Sequence, residues 1–407
     1  MPMNVGGPWR SRPGALSGLR VIDLTRILAG PFCTMIMADL GADVIKVEDV
    51  QSGDDTRAWG PPFIGSDAAY YHAVNRNKRS IAVDLKDEVC REHVLRLARS
   101  ADVLVENFRP GTAARLGFDH SALRAENPGL VYASISGFGQ SGPMSGQPGY
   151  DATAQALSGV MSVTGYPDGP PARFGTSGAD LGAGMWALIG ILAALSKRQH
   201  TGRGDYVDVA LLDGQVAWLT YHATGYLASG EIPGRYGTAH PSIVPYQALT
   251  TADGQLMVAA GNDSMWAKLA NAIGLERLVT DPSFATNADR VANRDRLIGL
   301  LEDVLSTETS AHWNEVLTAV GVPAAPILDV DQALAHPQVH ARQMLVALPD
   351  SGGGEIGAVG SPVKLLDSPV VMESSAPRLG EHTEQVLADL GLDDAAIAVL
   401  IGRGVVR

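Results

Sequence analysis

The segment VIDLTRILAGPFCTMIMADLGADVIKVE, residues 21–48, decides the fold of the N-terminal part of the chain. An apolar run over Leu19–Leu24 predicts a buried strand, Gly30–Leu40 predicts a helix, and Ala42–Glu48 predicts a second strand. A strand, a helix and a strand in this order form a βαβ unit, which has parallel strands and a right-handed crossover.

The same α/β pattern continues to about residue 140. Short apolar strands alternate there with helical patterns such as Asp87–Ser100. The predicted strands are Ser80–Val83, Ala101–Glu106 and Val131–Ser136. Since helices that connect parallel strands cover the sheet, we predict an α/β fold with an open parallel sheet.

Later segments have a different pattern of predicted strands and helices, which indicates a second domain. The 407 residues exceed the usual length of one domain, about 100 to 200 residues. From Ser242 to Val330, short strands and amphipathic helices predict a separate α+β domain, and Leu379–Val406 predicts a helical tail. The apolar run Leu181–Leu195 is shorter than the roughly 20 residues of a membrane helix, so we expect a buried core helix and no membrane contact.

The charge balance and the cysteine content argue against several classes of protein. With 31 Lys and Arg residues against 44 Asp and Glu residues, the formal net charge is −13, which argues against a general nucleic-acid binder. Two cysteines, Cys33 and Cys90, allow neither a disulfide framework nor a cysteine-based zinc site. Because such cysteine usage fits a reducing compartment and no apolar run follows the N-terminal arginines, we expect a cytoplasmic protein.

A glycine pattern that is typical of dinucleotide binding lies at Gly137, Gly139 and Gly142. Such a motif requires a helix directly after the glycines, where the pyrophosphate binds. Pro143 and Pro148 prevent an immediate helix, so we predict a mobile or substrate-lining loop instead.

Carboxylate chemistry remains after other catalytic classes are set aside. The sequence contains no G-x-S-x-G elbow and no H-E-x-x-H, and its ten histidines do not pair at metal-ligand spacing, so we expect no metal site. Asp180 precedes the apolar helix and follows a glycine-bearing loop. It fits a helix N-cap, and it also fits a nucleophile that the helix terminus keeps ionised. Both interpretations stay open on these residues alone.

Two basic loops follow predicted strands. The first contains Arg76, Lys78, Arg79 and Lys86, and the second contains Arg109 and Arg115. Ligands of open α/β sheets bind at the carboxyl ends of the strands, so these side chains are candidates for phosphate contacts. A solvated charged surface is the alternative.

Motifs of one family are spread over residues 17–406. They are the segment quoted above and NRNKRSIAVDLK, DVLVENFRPG, PGYDATAQALSG, GADLGAGMWALIGILAAL, KRQHTGRG, GVPAAPI and LGEHT. In these segments the sequence closely resembles the family III CoA-transferases. Residues 54–63 and 237–248 resemble a subgroup that moves CoA between dicarboxylates such as succinate, glutarate and 3-hydroxy-3-methylglutarate. The resemblance implies a CoA-transferase for acyl-CoA and small carboxylic acids, with no permanently bound cofactor.

The resemblance also implies an architecture. A large Rossmann-like domain is built from both chain ends, a smaller domain is inserted between them, and two chains interlock as a homodimer. We therefore expect residues 1–210 in the first part of the large domain, 211–334 in a linker and small α+β domain, and 335–407 in the part that returns to the large domain.

Site residues follow from the same resemblance. It implies that Asp180 is a catalytic nucleophile that passes through aspartyl anhydride and aspartyl-CoA thioester intermediates. The implied CoA contacts are Leu28, Ala29, Val83, Asp84, Leu85, Lys86, Asn107, Phe108, Arg109, Arg115 and Tyr150. Asp49 departs from the pattern, because formyl-CoA transferase has an arginine there near the CoA phosphates. Arg76 and Arg109 are the candidate replacements.

The subgroup segments supply candidates for substrate recognition. The distal carboxylate of a dicarboxylate needs a cation or a hydrogen-bond donor, which Arg57, His240 or Ser242 can provide. Packing at a dimer interface is the alternative for these side chains. Gly234 and Gly237 lie in a glycine-bearing segment that is a candidate lid to exclude water.

Two other functions remain as alternatives. The 2-methylacyl-CoA racemases resemble this chain too, and they have a His-Asp pair where it has Tyr150 and Asp151. Racemisation needs a base on each face of the α-carbon, so the missing histidine disfavours it. A non-catalytic acyl-CoA binding paralogue is the second alternative, and the presence of Asp180 argues against it.

Overall fold

Two compact units make up the chain in the computed structural model, which describes residues 9–407. Unit 1 contains the chain up to Val160, Phe174–Ala223 and Gln338–Arg407. Unit 2 contains Met161–Arg173 and Thr224–Pro337. Segments from both halves of the sequence therefore build unit 1, and unit 2 is formed by two segments that lie between them in the sequence.

Strands and helices alternate along most of the described chain. The strands are β1 (Arg20–Asp23), β2 (Asp43–Glu48), β3 (Phe63–Ile64), β4 (Asp67–Ala68), β5 (Arg79–Ala82), β6 (Val103–Glu106), β7 (Val131–Ser136), β8 (Tyr206–Ala210), β9 (Tyr246–Thr251), β10 (Gly254–Ala259), β11 (Ala324–Pro326), β12 (Leu345–Pro349) and β13 (Glu355–Val359). The helices are α1 (Ala29–Asp39), α2 (Ala69–Asn75), α3 (Glu88–Ser100), α4 (Thr112–Arg115), α5 (His120–Glu126), α6 (Asp151–Leu157), α7 (Gly178–Thr201), α8 (Leu211–Trp218), α9 (Thr220–Ser229), α10 (Asp263–Ala272), α11 (Asn287–Ala292), α12 (Arg294–Leu305), α13 (Ser310–Ala319), α14 (Val330–Ala335), α15 (Pro337–Ala341), α16 (Thr383–Asp389) and α17 (Asp394–Gly402). Short 3₁₀ helices lie at Asp55–Ala58, Val160–Val163 and Glu276–Val279.

A parallel sheet of six strands forms the centre of unit 1. Its strand order is β5-β2-β1-β6-β7-β8, and every neighbouring pair is parallel. Counted along the chain within this sheet, the order is 3-2-1-4-5-6, which is the Rossmann order. The order reverses between β1 and β6, so the carboxyl ends of these two strands are where this fold binds ligands. The predicted α/β fold with a parallel sheet is confirmed.

Helices cover both faces of this sheet. Successive residues of β1 point to opposite faces, so Val21 packs in one hydrophobic cluster and Ile22 in the other, and both are fully buried. The cluster around Val21 includes residues of α1 and α7, and the cluster around Ile22 includes residues of α3, α16 and α17. The C-terminal helices thus complete one face of a sheet whose strands all lie between Arg20 and Ala210.

Helix α7 has one buried and one exposed face. It is long and apolar enough, by length and composition, to cross a membrane, and half of its most apolar window is buried in this fold. Ala183 and Ile191 are fully buried in the core, whereas Trp186 and Ile189 are 39% and 55% exposed. The prediction of a buried core helix is therefore correct for one face of α7. The helix is longer than the apolar run Leu181–Leu195 from which we predicted it.

The predicted domain bounds differ from the observed units, by three residues at the return to unit 1 and by more at two other places. Helix α8 packs against α6 and α7 inside unit 1, although we placed the linker from residue 211. Residues 161–173 belong to unit 2, although they precede α7 in the sequence.

Unit 2 is an α+β unit with its own core. Its antiparallel sheet has the order β11-β10-β9. Trp266, Leu269, Leu297 and Leu317 of helices α10, α12 and α13 pack with Leu256 of β10 in one buried cluster.

A close approach of α1 and α7 predicts the effect of one substitution. A Cβ atom at Gly184 would lie 2.6 Å from the backbone oxygen of Ala29, which is shorter than any normal contact. We expect Gly184→Ala to lower the free energy of unfolding by about 1 to 3 kcal/mol, as overpacked cores do, in urea titrations followed by circular dichroism. Gly402→Ala is the matched control, because that helical position opens into free space, and equal losses in both variants would contradict the prediction.

Candidate active site

Two cavities open at the carboxyl ends of the parallel strands of unit 1. Cavity A, of about 240 Å³, is lined by the loops after β1, β6 and β7, by part of residues 145–150 and by Asp180. Cavity B, also of about 240 Å³, is lined by the segments after β1, β2 and β5 and by one side of α4. Both cavities share residues of the loops after β1 and β6, which is the reversal point of the strand order.

Hydrogen bonds fix the loop that follows β1. Asn107, at the end of β6, accepts the N–H of Arg26 at 3.0 Å and donates to the carbonyl of Arg26 at 2.7 Å. Ile27 has a φ of +73°, a left-handed conformation that is rare for a β-branched residue, and its N–H donates to the Asp54 carboxylate at 3.2 Å. The buried ammonium of Lys46 in turn donates to Asp54 at 2.9 Å. The loop is thus held on both sides in a strained shape.

Asp180 lies in the first turn of α7, where its carboxylate lines cavity A. Among residues 9–407 no side chain or N–H group donates a hydrogen bond to this carboxylate. Burial, and to a smaller extent the negative charge of Asp151, raise its pKa to about 7. The helix terminus therefore does not keep Asp180 fully ionised as we expected, because the acid titrates near neutral pH.

Asp151 caps α7 in place of Asp180. Its Oδ1 atom accepts the N–H of Ala179 at 2.7 Å and that of Asp180 at 3.4 Å, while Gln155 donates to its Oδ2 atom at 2.8 Å. The oxygen of the same Gln155 amide accepts the N–H of Phe174 at 2.8 Å, which holds the chain before α7. The N-cap interpretation of Asp180 is therefore wrong.

A buried acid lies next to Asn107 of cavity A in the sequence. Glu106, at the end of β6, is 4% exposed and accepts the N–H of Phe108 at 2.8 Å. Burial raises its pKa to about 7, although its hydrogen bond with Ser134 acts in the opposite direction. Two acids near cavity A therefore titrate in the same pH range.

The glycine loop after β7 lines cavity A. A Cβ atom at Gly137 would lie 2.6 Å from the Cα atom of Gly149, so the two backbones touch only because both residues are glycines. The next helix, α6, begins only at Asp151, which agrees with the prediction that no helix follows the glycine motif directly. Gly137 and Gly149 both line cavity A, as a substrate-lining loop requires.

Most of the predicted CoA contacts lie around the two cavities. Leu28, Ala29, Asn107, Phe108, Arg109 and Tyr150 line cavity A, and Val83, Asp84, Leu85 and Lys86 line cavity B together with Phe108. The side chains of Arg109 and Lys86 are exposed and Tyr150 is 60% exposed. Arg115 lines neither cavity, since it is exposed and donates to the Thr112 hydroxyl at 2.9 Å.

Two predicted arginines are committed to buried ion pairs. Arg76 is 6% exposed and binds Asp39 through Nη2 at 2.6 Å and Nε at 3.0 Å. Arg57 is also 6% exposed and binds Glu48 at 2.7 Å and Asp67 at 2.8 Å. Neither arginine lines cavity A or B, so neither cavity supports Arg76 as a phosphate contact or Arg57 as a substrate contact, and both roles stay predictions.

The remaining candidates lie in unit 2. His240 Nδ1 accepts the N–H of Ser242 at 3.1 Å, and Gly237 donates its N–H to Gly165 at 2.8 Å. Gly234 has open space around it. The roles of these residues in substrate binding and in a lid stay predictions.

Sequence reasoning missed two residues of this site. Arg26 lines both cavities, and its position directly after the first strand of a Rossmann order is a signal that would have identified it. Asp151 was considered only as a member of a racemase pair, and no local pattern shows that it reaches α7.

Comparisons with known proteins identify the family. A family model described as CoA-transferase family III matches residues 16–383. A succinate–glutarate CoA-transferase of Agrobacterium fabrum is 46% identical over 391 residues, which cover 93% of this chain and 96% of that protein. An acetyl-CoA:oxalate CoA-transferase of Acetobacter aceti is 46% identical over 372 residues, which cover 91% of this chain and 94% of that protein.

A solved structure supports the same family. The crystal structure of a CAIB/BAIF family protein from Brucella suis matches with a TM-score of 0.83 and 43% sequence identity, and the match covers 93% of this chain and 100% of that one. Within residues 9–407 no group of three His, Cys, Asp or Glu side chains is arranged to hold a metal ion. Since the family model and both relatives extend over most of its length, this chain belongs to the family III CoA-transferases and is itself a CoA-transferase.

Proposed function

We propose that this enzyme transfers CoA from succinyl-CoA to a dicarboxylate such as glutarate. The observation that carries the proposal is the Asp180 carboxylate, which lines cavity A with no hydrogen-bond donor among residues 9–407. The relative from A. fabrum is named for succinate and glutarate, and the relative from A. aceti for acetyl-CoA and oxalate. Succinate, glutarate and oxalate are dicarboxylates, so both names support the class of acceptor.

The first half of the reaction releases the donor acid. An oxygen of ionised Asp180 attacks the thioester carbon of succinyl-CoA, a C–O bond forms, and the C–S bond breaks to release CoA thiolate. The thiolate then attacks the side-chain carbonyl carbon of the mixed anhydride. A C–S bond to Asp180 forms, the anhydride C–O bond breaks, and succinate leaves as the carboxylate.

The second half repeats these steps with the acceptor. A glutarate carboxylate attacks the aspartyl-CoA thioester and again releases the thiolate, which then attacks the glutaryl carbonyl of the new anhydride. Glutaryl-CoA forms and Asp180 returns as a carboxylate. Each step exchanges one activated acyl bond for another, so the reaction needs neither ATP nor a metal ion.

The positions of the two cavities support a binding mode for CoA. The thioester must reach Asp180, so the pantetheine arm lies in cavity A beside Asn107 and Tyr150. The nucleotide then lies in cavity B between the apolar wall of Leu85 and the ring of Phe108, with Lys86 near its phosphates. Cavity B suits an adenine ring, because most of its wall is apolar.

An interlocked homodimer is part of the proposal. Trp186 and Ile189 on α7 and Trp218 on α8 leave large apolar side chains 39% to 55% exposed. Apolar faces of this kind are covered in most soluble proteins, and a second copy of the chain is the occupant that the family resemblance implies. The substrate contacts of His240 and Ser242, and the lid at Gly234 and Gly237, are part of the same proposal.

The alternatives are less well supported. Tyr150 lines cavity A where the racemases have a histidine, so this site lacks the second base that racemisation requires. A non-catalytic binding protein has no chemical need for an acid without hydrogen-bond donors at the bottom of the cavity.

Replacement of the nucleophile tests the mechanism. Asp180→Asn keeps the size of the side chain but removes the attacking oxygen anion. We expect transfer from succinyl-CoA to glutarate to fall below about a hundredth of the wild-type rate, with CoA binding and the unfolding midpoint unchanged.

Trapping gives the same test a positive signal. Wild-type enzyme incubated with succinyl-CoA and hydroxylamine is expected to carry a hydroxamate at Asp180, identified by peptide mass, and Asp180→Asn is expected to carry none. Transfer by Asp180→Asn above the stated limit would show that another group is the nucleophile, and an unmodified wild type would favour the binding protein.

The raised pKa of Asp180 predicts a pH dependence. Only the ionised carboxylate attacks, so kcat/KM for succinyl-CoA is expected to fall as the pH drops below about 7. Asp151→Asn keeps an oxygen that caps α7 but removes a negative charge that disfavours ionised Asp180. We expect this variant to shift the acidic limb of the pH profile to lower pH.

Matched variants separate this effect from others. Asp119 caps α5, because its carboxylate accepts the N–H groups of Ser121 and Ala122. Asp119→Asn therefore makes the same chemical change at a helix N-terminus, and Asp119 lines neither cavity. It is expected to leave the limb in place. A limb that moves with Glu106→Gln and not with Asp151→Asn would assign the titration to Glu106.

A matrix of acceptors tests the substrate class. With succinyl-CoA as donor, we expect glutarate and other dicarboxylates to give higher kcat/KM than monocarboxylates of similar length, read by product mass. Faster transfer to short monocarboxylates such as acetate would contradict the dicarboxylate assignment while leaving the nucleophile assignment untouched.

A further inference from the structure

Arg26 lies where the two cavities meet. Its side chain lines both cavity A and cavity B, and the same holds for Phe108. The guanidinium carbon lies 5.8 Å from the centre of the Phe108 ring, which orients the side chain by a cation–π contact. The side chain is 54% exposed and is therefore accessible to a ligand.

The backbone of Arg26 is held in a fixed position. Asn107 binds both its N–H and its carbonyl, and the left-handed Ile27 that follows is held by Asp54. A cation on a preorganised backbone binds an anion at a smaller entropic cost than one on a flexible loop. The loop therefore presents Arg26 to the space between the cavities.

Other cations near this edge of the sheet have structural partners. Lys46 and Lys78 are buried with Asp54 and Asp23, and Arg57 and Arg76 are buried in the ion pairs described above. The cations that line the cavities, among residues 9–407, are Lys46 and Lys86 in cavity B, Arg109 in cavity A, and Arg26 in both.

The existing partner of Arg26 does not remove it from binding. Asp55 lies 3.7 Å from its Nη1 atom, and both side chains are about half exposed. Exposed pairs at such distances contribute little to stability, so an incoming diphosphate with two negative charges competes readily.

Asp49 places a negative charge in cavity B, so a phosphate group bound there needs a nearby cation. It lines cavity B, and its Oδ1 atom accepts the N–H groups of Gln51 and Ser52, both at 2.9 Å. These contacts lower the pKa of its carboxyl group against the opposing effect of burial, so the residue is an anion in the wall of the nucleotide cavity. The wall of cavity B therefore carries a negative charge that repels phosphate groups.

We propose that Arg26 binds the pyrophosphate of CoA, between the nucleotide in cavity B and the pantetheine arm in cavity A. The planar guanidinium donates two parallel N–H groups to oxygens of the diphosphate, and the charge offsets the repulsion from Asp49. This inference rests on the proposed function, because it assumes that CoA occupies both cavities. It gives the loop after β1 a role in binding the diphosphate.

Binding measurements on full-length enzyme test the assignment. The probes are CoA and 3′-dephospho-CoA, titrated by calorimetry into the wild type, Arg26→Gln, Arg26→Lys and Arg96→Gln. Arg96 is an exposed arginine of α3 that lines neither cavity, so its variant is the matched control. We expect Arg26→Gln to weaken both probes by the same factor of about ten, Arg26→Lys to weaken them less, and Arg96→Gln to leave both unchanged.

Any result that differs from this pattern, including unchanged affinity of Arg26→Gln, overturns the assignment of Arg26 to the pyrophosphate. If Arg26→Gln weakens CoA and leaves 3′-dephospho-CoA unchanged, Arg26 contacts the 3′-phosphate instead. If the lysine and glutamine variants lose affinity equally, or if the unfolding midpoint of Arg26→Gln falls, the effect is structural and not one of charge. Because these titrations contain no acceptor, wild-type CoA binding without transfer to glutarate would contradict the proposed function alone.

Discussion

The cap that Asp151 places on helix α7 is the interaction on which the chemistry of this site depends. A helix start carries unsatisfied N–H groups and a partial positive charge, and these attract the nearest carboxylate. Because Asp151 takes that place, Asp180 in the same turn keeps its oxygens unbound. The consequence is electrostatic, since a buried acid beside a second acid titrates near pH 7. The site thus combines a carboxylate that has no hydrogen-bond donor with a pKa that weakens its preference for the charged form.

Buried charge pairs determine which cations remain for ligands. The ends of the parallel strands carry many basic residues, yet Lys46, Lys78, Arg57 and Arg76 hold loops to the sheet through carboxylates with almost no exposure. Breaking such a pair leaves an unpaired buried charge, which is strongly destabilising. A ligand therefore meets a small set of exposed cations, and their positions, more than their number, decide which group of the ligand they bind.

The fold was largely predictable, whereas the partners of individual side chains were not. The strands predicted at residues 19–24 and 42–48 agree with β1 and β2 within one residue at every end, because buried parallel strands are continuous apolar runs. The ion pair of Arg76 was not predictable, because its partner, Asp39, is 37 residues away and becomes its neighbour only when α1 packs against α2. The cap of α7 by Asp151 likewise joins residues 28 or 29 positions apart, for which no spacing rule exists.

The outer edge of the parallel sheet is closed by the last residues of the chain. In β5, the carbonyl of Ser80 accepts the N–H of His382 and the carbonyl of Ala82 accepts the N–H of Arg407. Val83, which follows β5, forms an isolated antiparallel β-bridge with Val406. During synthesis these residues follow all of unit 2, so β5 has an uncovered edge while about 300 residues are added. Completion of the sheet therefore waits for contacts of very long sequence separation, which slows folding. A nascent chain of this enzyme has exposed strand edge for most of its synthesis, the period in which a chaperone has the most to protect.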